Sequence, residues 1–520
     1  MQKQMHLGSL SHGVGGHVAG WRMQGAQAHK ESFEPIAHAV RTAERGKFDF
    51  VFFADAVNTG ADAAPIFVVR FEPLTLLGAL SVVTDRIGLV ATVSTTYSEP
   101  YNVARAFASL DHLSGGRVGW NVVTGSSPDA AANFSRDKHP PHAERYALAE
   151  EYIKVTKGLW DSWEDNAVVA DRQTGVFIDT SKMHVLDHAG DYFKVKGPLN
   201  ASRPPQGYPV IFQAGASDRG LELAGATAEV VFATQSFQED AIAFSGKLRD
   251  CAEAAGRPRD AIRILLGVSA IVGDTEREAQ DIVAQLGAMV DPVTSMRVLS
   301  DRVGIDLSPY DLDGPLPELP PSTMMQGHAR VLQSVARRRN MTIRQLRDYA
   351  AVSSGHRVLM GTATQIADDL ESWFKSGACD GFAIMSPYAP RPFERFVDQV
   401  VPILVERGLF RKEYEGKTLR DHLGLQRPPH PATRAARAPQ HEVSLFQQVR
   451  PHPEEAAKRP SRRMGPIDDL RFRVLESFRR RREVRIWIRA LLLFADSAKG
   501  RCPRECLRRC RSGRRGHEHQ

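Results

Sequence analysis

The sequence has little cysteine, and what it has is placed for neither a disulfide framework nor a metal cluster. Five cysteines occur in 520 residues; Cys251 and Cys379 lie far apart, and Cys502, Cys506 and Cys510 crowd into the carboxyl-terminal stretch. Two scattered thiols in the long first part point to a reduced, intracellular body with no metal site. An uninterrupted apolar run of about 18 residues is also missing, and "MQKQMHLGSLSHG" lacks the basic-then-apolar order of a secretory signal. A cytoplasmic enzyme with no membrane partner is the expectation. The common chemical signatures H-E-x-x-H, G-x-x-x-x-G-K-[ST], G-x-S-x-G and a strand-linked G-x-G-x-x-G are absent. Zinc hydrolysis, phosphate-loop ATP use and Rossmann dinucleotide binding therefore have no support.

The net charge of +7 combines two unlike pieces. Of the 68 Lys+Arg and 61 Asp+Glu, 24 and 10 lie in residues 427–520, which leaves 44 and 51 in residues 1–426. The body is mildly acidic, so nucleic acid is not its expected partner. The tail, 427–520, opens with the Pro/Ala-rich "RPPHPATRAARAPQ" and reads as a disordered basic extension. Its Arg-rich segment with an Ile/Trp/Leu face would suit nucleic acid or an anionic membrane. Its composition is also what read-through or a shifted frame of GC-rich DNA gives, and no function is rested on it.

Within residues 1–426, apolar runs of strand length alternate with stretches of helical period. Eight strands are expected: 5–12, 48–55, 87–95, 117–125, 208–215, 229–235, 262–273 and 379–387. Helices are expected at 35–46, 73–85, 100–113, 144–163, 218–226, 239–255, 363–376 and 392–407. Pro35 and Pro100 mark starts, and Gly46, Gly256 and Gly377 mark ends. Strands apolar at nearly every position belong to a parallel sheet covered on both faces. Eight βα units in that order close as a TIM (β/α)8 barrel, with a doubly wound open sheet as the competitor. Two stretches interrupt the repeat, after strands 4 and 7. Residues 164–207 carry a hairpin signal around Gly190 and Asp191, and residues 274–362 mix helix with the Pro-rich "SPYDLDGPLPELPPS". Both are expected to act as lids or substrate walls, or else as oligomer contacts.

Polar residues gather where the expected strands end, the place where such barrels keep their sites. They are His12, Asp55, Thr92, Ser94, Thr95, Thr96, Asn121, Thr124 and Ser217. Phe52 and Phe53 beside Asp55 suggest an aromatic wall with a polar handle, suited to a flat heteroaromatic ligand. His142 and Tyr146, at i and i+4 on a helix start, are candidate donors toward an anion. Ser217 sits at a strand-to-helix junction, where unpaired backbone N–H groups and the positive helix end favour an anion such as a phosphate; the same residue also suits a plain helix cap.

The motifs "SHGVGGHVAGWR", "FDFVFFADA", "VATVSTTYSEPYNVARAFASLDHLSGGRVGWNVVTG", "HAERY", "GLWDSW", "HAGDYFKVKGPLN" and "VIFQAGASDRG" closely resemble those of the bacterial-luciferase-like flavin monooxygenases. The narrower likeness is to the group of nitrilotriacetate monooxygenase component A and dibenzothiophene-sulfone monooxygenase, over about residues 5–425. The resemblance implies a barrel enzyme that takes reduced FMN from a separate NAD(P)H:flavin reductase and uses O2 to oxygenate a small organic substrate of the sulfur-compound, aminopolycarboxylate or alkane class. It implies flavin contacts at Asp55, Thr92, His142, Tyr146 and Ser217, with Ser217 at the phosphate and Asn121 beside them. Catalytic candidates are His12, Phe53 as a wall over the ring, and His328, with His356 as a further histidine of the variable region. A homodimer or homotetramer is expected. The alternatives are a deazaflavin (F420)-dependent oxidoreductase on the same fold and a flavin-binding protein without turnover.

Overall fold

The computed structural model describes residues 3–433, apart from 12, 29–30, 61–62, 64–67, 126, 320–325 and 354. The chain divides into two compact units, Met1–Ala438 and Pro439–Gln520, and the second lies outside the described residues together with the expectation of a disordered tail. Eleven strands are described: β1 (His6–Ser11), β2 (Phe50–Phe53), β3 (Gly88–Ser94), β4 (Val118–Val123), β5 (His188–Ala189), β6 (Lys194–Val195), β7 (Val210–Gln213), β8 (Val230–Ala233), β9 (Arg263–Val272), β10 (Arg357–Gly361) and β11 (Gly381–Met385). Eight of them pair in parallel in the order β1-β2-β3-β4-β7-β8-β9-β11, and β11 returns to β1. The sheet closes on itself, so the fold is a TIM barrel and the open-sheet alternative falls. Each barrel strand lies within one of the eight expected segments. Among the described residues no helix is long and apolar enough to cross a membrane.

β9 does two jobs because it is long. Its first half, Arg263–Leu266, pairs with β8, and its second half, Val268–Val272, runs past the barrel rim and pairs with β10. β10 belongs to the 274–362 insertion and was not foreseen as a strand. The rest of that insertion is helical, with its own apolar core of Met296, Leu299, Val303, Leu332, Val335, Ile343 and Leu346.

The two insertions lie at opposite ends of the barrel, for a topological reason. Residues 274–356 directly follow β9, so they leave from the carboxyl end of a strand. Residues 164–207 instead follow the His142–Trp160 helix and lead into β7, which places them at the amino end. The expected hairpin is present, with β5 and β6 antiparallel. As a lid the first insertion is a misreading, since none of its residues lines the barrel's main cavity.

At the amino end, three carboxylates repeat one device. Asp49, Glu229 and Asp380 each stand immediately before a strand and accept a backbone N–H of the neighbouring strand: Leu7 at 2.8 Å, Ile211 at 3.1 Å and Ile264 at 2.9 Å. Each also pairs with a guanidinium, from Arg411, Arg420 and Arg249 respectively. Burial alone would push these carboxyls up; the nearby cations outweigh it and hold all three below the usual range. This end is built for stability, as expected for the face opposite the site.

The body extends past residue 426, contrary to the boundary drawn from composition. Arg427 pairs with Asp165 at 2.6 Å, the Pro428 carbonyl accepts from Arg203 at 3.0 Å, and His430 meets the Asp161 carbonyl at 2.8 Å. Composition marks where periodicity stops, but these contacts are made by single side chains without periodicity.

Candidate functional site

A cavity of about 350 Å3 opens at the carboxyl end of the barrel, within the size range of small-molecule sites. Its lining draws on the ends of β2, β3, β4, β7 and β8 and on the start of the His142–Trp160 helix. That helix is seated by Trp120 of β4, whose indole packs against Phe107, Tyr152 and Trp160 in the shell between strands and helices. Pro140 and Pro141 stop any earlier helical turn, so His142, Arg145 and Tyr146 all project from its first turns toward the cavity.

Asp55, Thr92, His142, Tyr146 and Ser217, from four separate parts of the sequence, line this one cavity. The β7 turn "QAGAS" leads into the Asp218–Thr227 helix, where Ser217 is the N-cap and its Oγ accepts from the Gly220 N–H at 3.1 Å. The Tyr146 hydroxyl stands 3.4 Å from Ser217 Oγ. A Cβ at Gly215 would come within 3.2 Å of that hydroxyl, and one at Gly220 within 3.1 Å of both it and Ser217 Oγ. Two glycines therefore keep open a concave junction of backbone N–H groups and two hydroxyls at a positive helix end, a cradle for an anion. Asp218, the first residue of that helix, is paired with Lys247 at 2.7 Å.

Deeper in the barrel, Asn121 Nδ2 donates to Thr92 Oγ1 at 2.9 Å. Both are nearly fully buried, and Asn121 Oδ1 has no hydrogen-bond partner among the described residues. A buried amide oxygen left without a donor is costly; of this pair Thr92 lines the cavity, and Asn121 stands behind it, outside the lining. Phe232 supplies an aromatic surface of the cavity and stacks on Phe52 with centroids 5.9 Å apart.

Phe53 is not part of this site. It packs with Leu7, Val51, Leu89 and Ala91 in the shell outside the barrel, because successive strand residues face opposite sides and Phe52 takes the inward position. His12 lies outside the described residues, as does the side chain of His328, although the neighbouring Gly327 lines the cavity and brings the second insertion to its wall. His356 packs against Phe232 with centroids 5.4 Å apart and planes tilted by 44°, and its Nδ1 is 3.0 Å from Thr234 Oγ1, one layer behind the lining.

The cavity lining carries one guanidinium, Arg145, and one carboxylate, Asp55. Arg145 is 3% exposed and donates to the Gly125 carbonyl and to His139 Nε2; among the described residues no carboxylate pairs with it. Burial, reinforced by Arg145 and Arg219, lowers the pKa of His142, so its imidazole is neutral near pH 7. Burial pushes the Asp55 carboxyl up, opposed by Arg70. The sequence reading missed Arg145, Tyr97 and His139. "HAERY" held the first in plain view, but only the folded loops bring the other two beside it.

The fold and cavity define the class: an α/β-barrel protein with a small-molecule site at the carboxyl face and an anion cradle at a helix start. The sequence profile described as luciferase-like monooxygenase matches residues 14–379. The chain belongs to that family and is a flavin-dependent monooxygenase. It is 49% identical over 431 residues to N-acetyl-S-(2-succino)cysteine monooxygenase of Bacillus subtilis (strain 168), covering 82% of this chain and 98% of the relative. It is 48% identical over 441 residues to nitrilotriacetate monooxygenase component A of Aminobacter aminovorans, with 82% and 97% covered. Among solved structures, riboflavin lyase (RcaE), crystallised with modified FMN and riboflavin, superposes with a TM-score of 0.75 at 31% identity, covering 84% of this chain and 100% of that one.

Proposed function

We propose that this chain is the oxygenase component of a two-component system: it binds FMNH2 made by a separate NAD(P)H:flavin reductase and uses O2 to oxygenate a small carboxylate-bearing substrate. The observation that carries the reading is the convergence of Asp55, Thr92, His142, Tyr146 and Ser217 on one cavity, with a glycine-opened junction at a helix start. In this reading Ser217, Tyr146 and the backbone N–H groups of the Asp218–Thr227 helix hold the phosphate. The neutral His142 adds a donor at the same end. Thr92, held from behind by Asn121, meets a polar atom of the ring system, and Phe232 lies along its face. Bound reduced FMN supplies the electrons and activates the oxygen; the protein orients it and keeps water away.

The substrate class rests on two supports. Both relatives near half identity are named for acids, an N-acetyl-succinocysteine and a nitrilotriacetate. The cavity, moreover, is lined by Arg145, whose guanidinium meets the Gly125 carbonyl and His139 and pairs with no carboxylate among the described residues.

The test is anaerobic titration of the protein with FMNH2 and, separately, with reduced deazaflavin, followed by oxygen-consumption assays with FMN, NADH and a free-standing flavin reductase across dicarboxylate and tricarboxylate thioethers and amines. Saturable FMNH2 binding and acid-dependent oxygenation are expected. Preference for the deazaflavin, or binding of neither, overturns the proposal.

A further inference from the structure

Tyr97 follows β3 and lines the cavity, 8% exposed. Its ring stacks on Phe134, with centroids 4.7 Å apart and planes 24° apart, and lies beside His139 at 5.9 Å and 28°. Its hydroxyl is 2.5 Å from His139 Nδ1. The other imidazole nitrogen, Nε2, meets Nη1 of Arg145, and the same guanidinium nitrogen is anchored on the Gly125 carbonyl. Three side chains from two loops and a helix start thus form one hydrogen-bonded row that ends at the cavity.

The direction of that row is fixed by chemistry. A guanidinium has N–H donors and no acceptor, so His139 Nε2 accepts. Burial and the charges of Arg145 and Arg136 hold His139 neutral. A neutral imidazole carries one hydrogen, which must then be on Nδ1, and Nδ1–H donates to the Tyr97 oxygen. The phenol's own hydrogen is left over. Among the described residues the Tyr97 hydroxyl has no second partner, so its O–H is free for whatever fills the cavity.

We propose that Tyr97 is a catalytic proton donor: its O–H bond breaks, the electron pair stays on the phenol oxygen, and the proton bonds to an oxygen atom in the cavity that has gathered negative charge. Monooxygenation puts one atom of O2 into the substrate and releases the other as water, so a proton must reach that second oxygen. The phenolate left behind accepts the His139 Nδ1–H, has Arg145 behind that imidazole, and has Arg136 over its ring at 5.5 Å. Water at the cavity mouth returns the proton. Burial holds the phenol pKa above its ordinary value, and Arg136 and Arg145 oppose it only in part, so the phenol rests protonated and the two guanidiniums temper the effect of burial without cancelling it. Conversely, Arg145 serves as the positioning residue, because it sets the tautomer of His139 and through it the direction of the Tyr97 hydroxyl.

The inference rests on the oxygenase reading, and one readout is independent of it. In the resting protein, Tyr97 is titrated by phenolate absorbance, as the difference between wild type and Tyr97→Phe. His139→Leu removes the N–H donor and raises the Tyr97 pKa by about one pH unit or more, whereas His139→Asn keeps a donor in the Nδ1 place and restores most of it. In turnover, Tyr97→Phe keeps the FMNH2 Kd within about twofold, lowers kcat by about 100-fold or more, and loses the basic limb of the pH profile. An unchanged kcat and pH profile in Tyr97→Phe overturns the proposal. So does a Tyr97 pKa that does not respond to His139→Leu, a result readable even if the wild type binds no flavin and the oxygenase reading itself has failed.

Discussion

Ser217→Asp separates an anion cradle from an ordinary helix cap. Aspartate is as good an N-cap as serine, so the hydrogen bond to the Gly220 N–H survives, and a negative charge at a helix start is favourable. Folding stability is therefore expected to hold. Binding of a phosphate is not. The new carboxylate stands about 4 Å from an anion seated between Gly215, Gly220 and Tyr146, and at the effective dielectric of ~20 typical of a partly screened protein site each charge pair costs about 4 kcal/mol, or about 1,000-fold in Kd. Full water screening would leave about 1 kcal/mol, near 5-fold; Ser217 is 7% exposed, so the larger figure is the nearer one. The assay is equilibrium titration with FMN and, in parallel, with riboflavin, which shares the ring and lacks the phosphate. FMN affinity should fall steeply while riboflavin affinity and the Tm stay near wild type. Equal losses for the two ligands, or unchanged FMN binding in a folded variant, would refute the cradle.

Gly267→Ala would place a Cβ 2.3 Å from His356 Nδ1 and 2.9 Å from the Phe232 ring; about 1–3 kcal/mol of stability should be lost in urea unfolding, and most of that loss should vanish when His356→Ala is added. An equal cost in both backgrounds would show that the imidazole is not the obstacle. Arg420→Met leaves the buried Glu229 carboxylate without its two-pronged partner at 2.5 and 2.9 Å, and should cost about 3–5 kcal/mol, with a smaller loss in the double variant Arg420→Met, Glu229→Gln. Burial lowers the pKa of both His17 and His422 to about 4. Between pH 6.5 and 4 the unfolded chain binds protons that the folded chain refuses, so stability falls as the pH drops through that window. Each histidine contributes at most about 3 kcal/mol to the fall; urea midpoints that stay flat from pH 7 to 4.5 would contradict their burial as neutral groups.

The barrel was legible because its cause is local. Runs such as "FDFVFF" and "EVVFATQ" are apolar at nearly every position, which only a strand covered on both faces tolerates, and their eightfold alternation with capped helices leaves few ways to close. The cradle was legible for the same reason: glycine, serine and a helix start are adjacent in "QAGASDRG", and the orphan N–H groups of a helix end need no distant partner. Phe53 was assigned wrongly although the information was present, since counting the pleat from Phe50 gives Phe52 the inward place. For the first insertion the lid reading, one of the two expected, failed because its length was weighed and its position after a helix was not.

What the sequence by itself determined is the eight barrel strands, their order, and the strand-to-helix junction capped by Ser217, all of which follow from neighbours within a few residues of one another. What the tertiary structure decided is which groups share a low-dielectric space. Asn121 becomes an orphaned acceptor only once β3 and β4 pair and bury it against Thr92. Tyr97, His139 and Arg145 acquire a hydrogen-bond direction only when the loops after β3 and β4 fold onto one helix start. Hydrogen-bond polarity and desolvation are properties of contacts, and contacts between residues dozens of positions apart exist only after the barrel has closed.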